Sequence, residues 1–591
     1  MKRKYGGVYA LFLLLSVLAA LKMLFFAFGL DEEYQLVMSY RNVHGDRLFL
    51  DMWEPHQSSA FLCAFLMKPW LALFGTTGIV LYLRLWGTFL HLAVSLYLYR
   101  VMKDFLQREY AWLLALIYFN TIPKQMILPE FGIMQVWFYT LTALFLARYY
   151  TRGKKLRYLV FAALSLVLNI LSYPSCLILF PFLLVLCARF SGKSRWRDMG
   201  ILTLTCAFCG LGYLGMLFTY TTPGELLNTI SHILAGDVTH SLTPGSKILT
   251  LLTGCFSTLA LWAGCMVFSV LTARLFGLSW VRTCCLSVVF ACVLELFCWV
   301  ILGYGYERMH IHLAAFALAG LCVSGRKAAS SFGIPHSPTL QTVPPAPGNE
   351  KVDVNGLRPS SFTDIKKFLL YIMAGALLSL LAVTYLTDLS FAESIPHAMP
   401  AAFCGAILLL HALEERREDN RISVSWTYAV LFVWCVTAVF GKGYTLRSGT
   451  GGYSNVLQSS GILWDGPAAG TISNYMGAYV YRCDYEDWQN CIQDGDKVLI
   501  MVDQVMNLGT IQYLFKDVEI SHFSIVNPTA YDERLLEYWA LYPEKYPNVI
   551  IVDCWYGQLM TDPEGWLMQY IENEFGYTQV TDGRYIRIYR K

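Results

Sequence analysis

Up to about residue 441 the chain alternates long apolar runs with short polar stretches, and beyond that point the rhythm changes. A helix that crosses a bilayer needs about 20 predominantly apolar residues. Runs of that kind predict spans at 8–28, 77–99, 110–122, 131–148, 158–173, 175–189, 199–221, 248–272, 283–303, 309–325, 367–387, 398–413 and 424–441. The shorter ones are expected to be tilted or partly re-entrant. From 442 the apolar runs shrink to strand length: Lys497 to Val502 and Asn548 to Val552, each followed by an aspartate (Asp503, Asp553), then Tyr585 to Tyr589. Helical patterns cover Glu533–Leu541 and Pro563–Glu574. Strands alternating with helices predict a small α/β domain. The expected fold is a polytopic α-helical membrane protein of about 13 transmembrane helices over 1–441, with a C-terminal α/β domain over 442–591.

The polar stretches set an orientation. Lysine and arginine gather at 100–108, 148–157, 189–197, 274–282, 326–367 and 416–421, whereas the alternate stretches hold little beyond Arg41, Arg47, Lys124, Lys247 and Arg308. Basic residues concentrate on the cytoplasmic side of membrane proteins. The N-terminus is therefore expected in the cytoplasm and the C-terminal domain outside it. Lys2, Arg3 and Lys4 precede an apolar run too long for a secretory leader, with no small-residue cleavage signal after it, so this run reads as a retained first helix. Residues 326–366, rich in proline and serine, read as a flexible cytoplasmic linker. A bacterial plasma membrane is the expected setting.

Composition narrows the classes further. Only 15% of the 591 residues are charged and 56% are hydrophobic, against about 25% charge in soluble domains. A net charge of +3 without an aromatic-interleaved basic stripe argues against nucleic acid as a partner. Most of the 17 cysteines lie inside apolar runs, Cys206 and Cys209 included, and act there as small hydrophobes. No cysteine pair stands beside a second pair or a histidine pair, which argues against a zinc module. Cys483 and Cys491 flank an acidic aromatic stretch, and either a local disulfide or two free thiols fits them.

Candidate chemistry concentrates between the first two spans, in an outer loop at 29–70. Asp31, Glu32 and Glu33 follow the first helix directly, and Asp51, Trp53, Glu54 and His56 come later. Three consecutive acids at a membrane face are costly when even partly buried. They also have a structural explanation: Asp31 as an N-cap, with Glu32 and Glu33 facing the positive end of a following helix. Elsewhere, Glu295 lies inside a span, where an acid is a functional candidate, with Arg84 or His91 as expected partners. His232, Asp237 and His240 share one outer loop. Lys68 reads as a snorkelling lysine. His310 and His312, two residues apart, fall on different helix faces, which argues against paired ligation.

The 29–70 loop resembles the first loop of the GT-C glycosyltransferases, in the branch of aminoarabinose transferase and the protein O-mannosyltransferases. Asp31 and Glu32 match that family's acidic pair, and Gly45 to His56 resembles a following stretch, with Asp51, Trp53, Glu54 and His56 in corresponding places. Gln57, Ser58 and Ser59 stand where the family usually has prolines. Leu83-Arg84-Leu85 and Tyr306-Glu307-Arg308-Met309-His310 resemble two further motifs, the second without its prolines. The resemblance implies a glycosyltransferase using a sugar on a polyprenyl phosphate, with an acceptor glycan, lipid or protein. It implies Asp31 as general base assisted by Glu32, and Arg308, Arg84, Glu54, His56, Asp51 and Glu307 as substrate-binding residues. Phosphate leaves readily, so the chemistry needs cations for the developing charge and a carboxylate within reach of the acceptor hydroxyl. No particular cofactor is implied, and a divalent metal ion stays open. The alternatives are a transporter or lipid flippase, which often shows repeated halves not visible here; a polysaccharide polymerase or ligase, expected to carry a larger outer loop; and a non-catalytic membrane protein with an outer binding domain.

Overall fold

The computed structural model describes residues 6–26, 30–235, 244–305, 310–329, 362–386, 390–415, 420–446, 455–501, 509–525, 533–555, 558–560 and 565–591. The membrane part begins with α1 (Gly6–Phe25), α2 (Leu30–Val43), α3 (Ala60–Phe74), α4 (Ile79–Met102), α5 (Arg108–Asn120) and α6 (Phe131–Thr151). It continues with α7 (Leu156–Ser172), α8 (Leu179–Phe190), α9 (Arg195–Leu217), α10 (Pro223–Ala235), α11 (Pro244–Phe276) and α12 (Trp280–Val300). It closes with α13 (Ile311–Ala329), α14 (Phe362–Leu386), α15 (Phe391–Ser394), α16 (Met399–Glu415) and α17 (Asn420–Tyr444). Among the described residues ten helices are long and apolar enough to cross a membrane, with three shorter apolar helices beside them. Phe208 at 80% and Phe256 at 72% exposure stud α9 and α11, faces that suit lipid. Where helices meet, small residues bring backbones together. A Cβ on Gly405 of α16 would stand 2.2 Å from the Phe316 carbonyl of α13.

One long apolar helix was not expected. Gln57–Phe74 passes the length and hydropathy test for a span, although the sequence pattern placed it inside a loop. Its flanks show that it does not cross. Just before it, the Ile525 N–H donates to Glu54; just after it, the Gly78 N–H donates to the Gly466 carbonyl at 3.0 Å. Both partners belong to the C-terminal domain. α3 thus starts and ends at one face and lies along it, with Phe65 and Leu73 each 75% exposed. The short α5 does return the chain to that face, because residues 120–130 meet α2 there through Lys124 and Asp31. Backbone proximity helps hold this return: a Cβ on Gly87 of α4 would stand 1.6 Å from the Ile127 carbonyl oxygen, so only glycine lets the 126–129 strip pass. Glu130 then starts α6, its carboxylate accepting the N–H groups of Gly132 and Ile133 at 2.7 and 2.6 Å.

The C-terminal domain is α/β, as expected. It holds β1 (Gly461–Ile462), β2 (Ile472–Ser473), α18 (Tyr475–Cys491), β3 (Lys497–Met501), β4 (Glu519–Ile520), α19 (Glu533–Leu541), β5 (Val549–Trp555), β6 (Gln558–Leu559), α20 (Trp566–Tyr570), β7 (Gln579–Asp582) and β8 (Ile586–Arg590). β1 and β2 form a small pair of their own, and the main sheet runs β4-β3-β5-β8-β7. β3 is parallel to β4 and β5, β8 is antiparallel to β5 and β7, and β6 pairs with β5. Val498, Leu499 and Ile500 of β3 face Val549, Ile550 and Ile551 of β5, an apolar run buried on both faces. The acidic aromatic stretch 475–491 is α18, and both of its cysteines, Cys483 and Cys491, are free thiols.

The domain is clamped onto the bundle by the first loop. Trp53, 5% exposed, sits in the domain's core among Leu499, Phe523, Tyr538 and Trp539, and its backbone N–H donates to the Phe523 carbonyl at 2.9 Å. Arg41, buried, donates to the carbonyls of His522 and Asp51 at 2.8 and 2.6 Å and to Asp46 at 2.6 Å. Lys545 reaches Asp46 at 2.6 Å.

Candidate functional site at the domain-bearing face

Three consecutive acids open α2, and helical rotation of about 100° per residue sends them to three different partners. The helix begins at Leu30, so Asp31 is a first-turn residue rather than the cap the sequence suggested. Its carboxylate lies 2.9 Å from Lys124 Nζ and remains 19% exposed, against 3% for the lysine. Glu32, 2% exposed, accepts from Arg84 Nε at 3.1 Å and from a terminal guanidinium nitrogen at 2.5 Å. Arg84 also donates to the Leu24 carbonyl at 3.0 Å, so α1, α2 and α4 are pinned together. Glu33 turns into the C-terminal domain, accepting from the Thr510 hydroxyl at 3.2 Å and the Ile511 N–H at 3.4 Å. Burial pushes the Glu33 carboxyl up to about 8.

Lys124 occupies a 3₁₀ turn, Pro123–Gln125, in which Lys124 and Gln125 adopt positive φ of 53° and 58°. Left-handed backbone at two successive non-glycine residues is strained and persists only when neighbours hold it. The neighbours are on hand. Lys22 Nζ donates to Gln125 Oε1 at 2.8 Å, and the Gln125 amide donates to the Gly441 carbonyl at 2.7 Å. The turn aims Lys124 Nζ over the Phe131 ring, 4.7 Å from its centroid, as well as at Asp31. His56 stacks on Phe131, 4.3 Å away and nearly parallel to it, and meets Tyr173 at a tilt, 4.5 Å away. Tyr34 meets Phe131 edge-on at 5.9 Å.

The structure therefore brings Asp31, Glu32, Arg84 and His56 together and takes two other candidates away. Asp51 is held by Arg47, whose side chain donates to both carboxylate oxygens at 2.9 Å. Glu54 is buried at the domain seam between the Tyr34 and Ser524 hydroxyls and the Ile525 N–H, and burial pushes it up to about 7. Glu307 and Arg308 lie outside the described residues, as do Asp237 and His240. His232 stacks on Trp53 at 4.7 Å and reaches Glu537 at 3.4 Å, a seam contact. Glu295 pairs with neither expected partner: it takes the backbone N–H and ring nitrogen of His312 at 3.0 and 2.7 Å. Arg84 is spent on Glu32, and His91 accepts from Trp137 at 2.7 Å. Lys124, the partner of Asp31, is a residue that sequence reasoning passed over. Lys124 did carry a signal, as the lone basic residue between two predicted spans on the sparsely charged side. Among the described residues no set of three His, Cys, Asp or Glu side chains is grouped to hold a metal ion. Positive charge at the site comes from Lys124 and Arg84.

Fold and site define a multi-pass helical membrane protein with a polar, cation-lined centre beneath a small α/β domain. No protein-family model and no curated protein matches the chain. Solved structures do. The oligosaccharyltransferase of Archaeoglobus fulgidus in complex with Zn and sulfate is 12% identical, covering 91% of this chain and 68% of its own, with a TM-score of 0.45. AglB of the same organism, with an inhibitory peptide and a dolichol-phosphate, is 13% identical over 93% and 70%, with a TM-score of 0.41. ArnT from Cupriavidus metallidurans bound to undecaprenyl phosphate is 11% identical over 99% and 98%, with a TM-score of 0.41.

Proposed function

We propose that the protein is a glycosyltransferase that moves a sugar from a polyprenyl phosphate to an acceptor glycan, lipid or protein on the extracytoplasmic face, with its N-terminus in the cytoplasm. The observation that carries this reading is the Asp31–Lys124 pair: a partly exposed carboxylate beside a buried ammonium, at a membrane face, walled by aromatic rings. In the reaction, the acceptor hydroxyl gives its proton to Asp31 as its oxygen bonds to the anomeric carbon. The bond from that carbon to the phosphate oxygen breaks, and the electron pair leaves on the phosphate. A phosphate arriving at Lys124 competes with Asp31 for the ammonium, which both neutralises the leaving group and frees the base. Arg84 supplies further positive potential, and Glu32 fixes its guanidinium. Arg308, two residues before His310 in the sequence, is retained as a second phosphate ligand.

The test is transfer by the purified protein from undecaprenyl-phosphate sugars, read as release of undecaprenyl phosphate. It is joined to mass spectrometry of lipid-linked sugars and surface glycans with and without the gene. Loss of a surface sugar together with accumulation of its lipid-linked form is expected. No transfer from any such donor and an unchanged lipid profile would overturn the proposal. Cysteine labelling at position 350 only after permeabilisation, and at 530 without it, checks the orientation.

A further inference from the structure

His397 lies in the 3₁₀ turn that leads into α16 and is wholly buried. Its Nδ1 is 2.9 Å from Gln135 Oε1. Gln135 is set with its amide nitrogen on the Ser379 hydroxyl at 3.0 Å, and its backbone carbonyl receives Asn169 at 2.7 Å. Because Gln135 presents an acceptor, His397 Nδ1 carries the proton, and Nε2 of the neutral ring is a bare acceptor. Among the described residues nothing donates to that nitrogen. A buried acceptor left unpaired is costly, yet α6 and α14 contribute buried polar groups whose effect is to hold this tautomer.

The surroundings say what would pair with it. His397 meets Tyr173 edge-on at 5.7 Å, and Tyr173 continues through His56 and Phe131 to Lys124 and Asp31. Lys124, His56, Asp31 and His310 are titratable groups close enough to interact with the His397 ring. The nitrogen therefore lies at one end of an aromatic wall whose other end carries the phosphate-side cation and the base. A sugar offers both things this wall lacks: an apolar C–H face to lie on aromatic rings, and hydroxyls to donate to a bare imidazole nitrogen. We propose that His397 Nε2 accepts a hydrogen bond from a hydroxyl of the donor sugar and is a substrate-positioning, specificity-determining residue. This rests on reading the site as one for a lipid-phosphate sugar.

The experiment measures binding of undecaprenyl phosphate alone, and of undecaprenyl phosphate carrying glucose or mannose, to the full-length protein in nanodiscs. The variants are His397→Phe, which keeps a ring against Tyr173, and the milder His397→Asn. The wild type is expected to bind at least one sugar-bearing lipid more tightly than the bare one. His397→Phe is expected to lose about tenfold for that lipid, the worth of one hydrogen bond, with bare-lipid affinity unchanged. Wild-type affinity of both variants for both kinds of lipid would mean the nitrogen serves a buried water only, and would overturn the inference. An equal loss for bare and sugar-bearing lipid in both variants would mark a structural histidine and overturn it as well. So would a wild type for which the sugar adds nothing. A wild type that binds no undecaprenyl lipid at all is a distinct result, removing the reading of the site itself and this inference with it.

Discussion

Replacing Asp31 by asparagine separates a base from a structural acid. Asparagine keeps the size of the side chain and an oxygen for Lys124, but loses the charge. The structural cost follows from burial: Lys124 is 3% exposed and Asp31 19%. Exposed pairs are worth about 0–1 kcal/mol, and breaking a fully buried pair costs about 3–5 kcal/mol. This largely buried pair, with its carboxylate still touching solvent, falls between, at about 1–2 kcal/mol by that interpolation, enough to lower the melting temperature by a few degrees but not to unfold the bundle. The catalytic cost is larger. Loss of a general base slows turnover by about 10²–10⁴-fold, or about 2.7–5.4 kcal/mol of barrier. The assay is single-turnover release of undecaprenyl phosphate from a sugar donor, run beside thermal unfolding in the same detergent. Asp31→Asn should unfold near the wild-type temperature and turn over at least a hundredfold more slowly. Asp31→Ala should do no worse in turnover and somewhat worse in stability. An asparagine variant with near-normal turnover would refute the base assignment and leave Asp31 as the counter-ion of a buried lysine.

Three other outcomes are expected. Trp53→Ala empties a slot in the C-terminal domain's core, a change that costs about 3–5 kcal/mol; limited proteolysis should release the domain while the helices stay in the membrane. Gly87→Ala raises helix propensity by about 1 kcal/mol but sets a Cβ against the Ile127 carbonyl, so the melting temperature should fall and transfer should drop as Lys124 shifts; a rise in stability would show that the 126–129 strip is not held there. Glu33, pushed up to about 8 by burial from an ordinary 4.5, folds preferentially in its protonated form; its contribution is full below about 4.5 and is lost as pH rises through about 8, so stability should decline over that window and Glu33→Gln should flatten the decline.

Much of this was legible in the chain. Apolar runs located all but one of the ten described helices long and apolar enough to cross a membrane, because lipid leaves a span few compositions to choose from. Lys497 to Val502 and Asn548 to Val552 read as strands because β3 and β5, paired in parallel and buried on both faces, need contiguous apolar residues, and Tyr585 to Tyr589 did so because Ile586 and Ile588 alternate with Arg587. What failed had physical causes. α3 has the composition of a span, but its direction is set by Glu54 and Gly78, whose partners lie more than 380 residues away. β4, β6 and β7 are two to four residues long and exist through register with longer neighbours, which no local pattern records. At the site, the acidic triplet announced itself, since charge at a membrane face is rare. Lys124 and His397 did not, because their meaning comes from a strained turn and a distant glutamine rather than from any spacing along the chain.

The triplet also answers a question of topology that counting spans leaves open. α1 runs from the N-terminal face of the bundle to the face where Asp31 begins α2. Glu33, two residues on, is bonded to the C-terminal domain at Thr510 and Ile511. The Lys22 ammonium near the end of α1 also donates to the Thr445 carbonyl just past the end of α17. Whatever the number of crossings between, the domain must sit on the face opposite the start of α1. The same three contacts make the domain part of the site rather than an appendage. Asp31 and Glu33 share one helical turn, so a domain that lifts away removes Thr510 and Ile511 from Glu33 and Ser524 and Ile525 from Glu54, and α2 loses the anchor that fixes the angle at which Asp31 faces Lys124. Turnover should then depend on the domain staying seated. The first turn of α2 is where the bundle, the proposed base and the domain are held in one geometry.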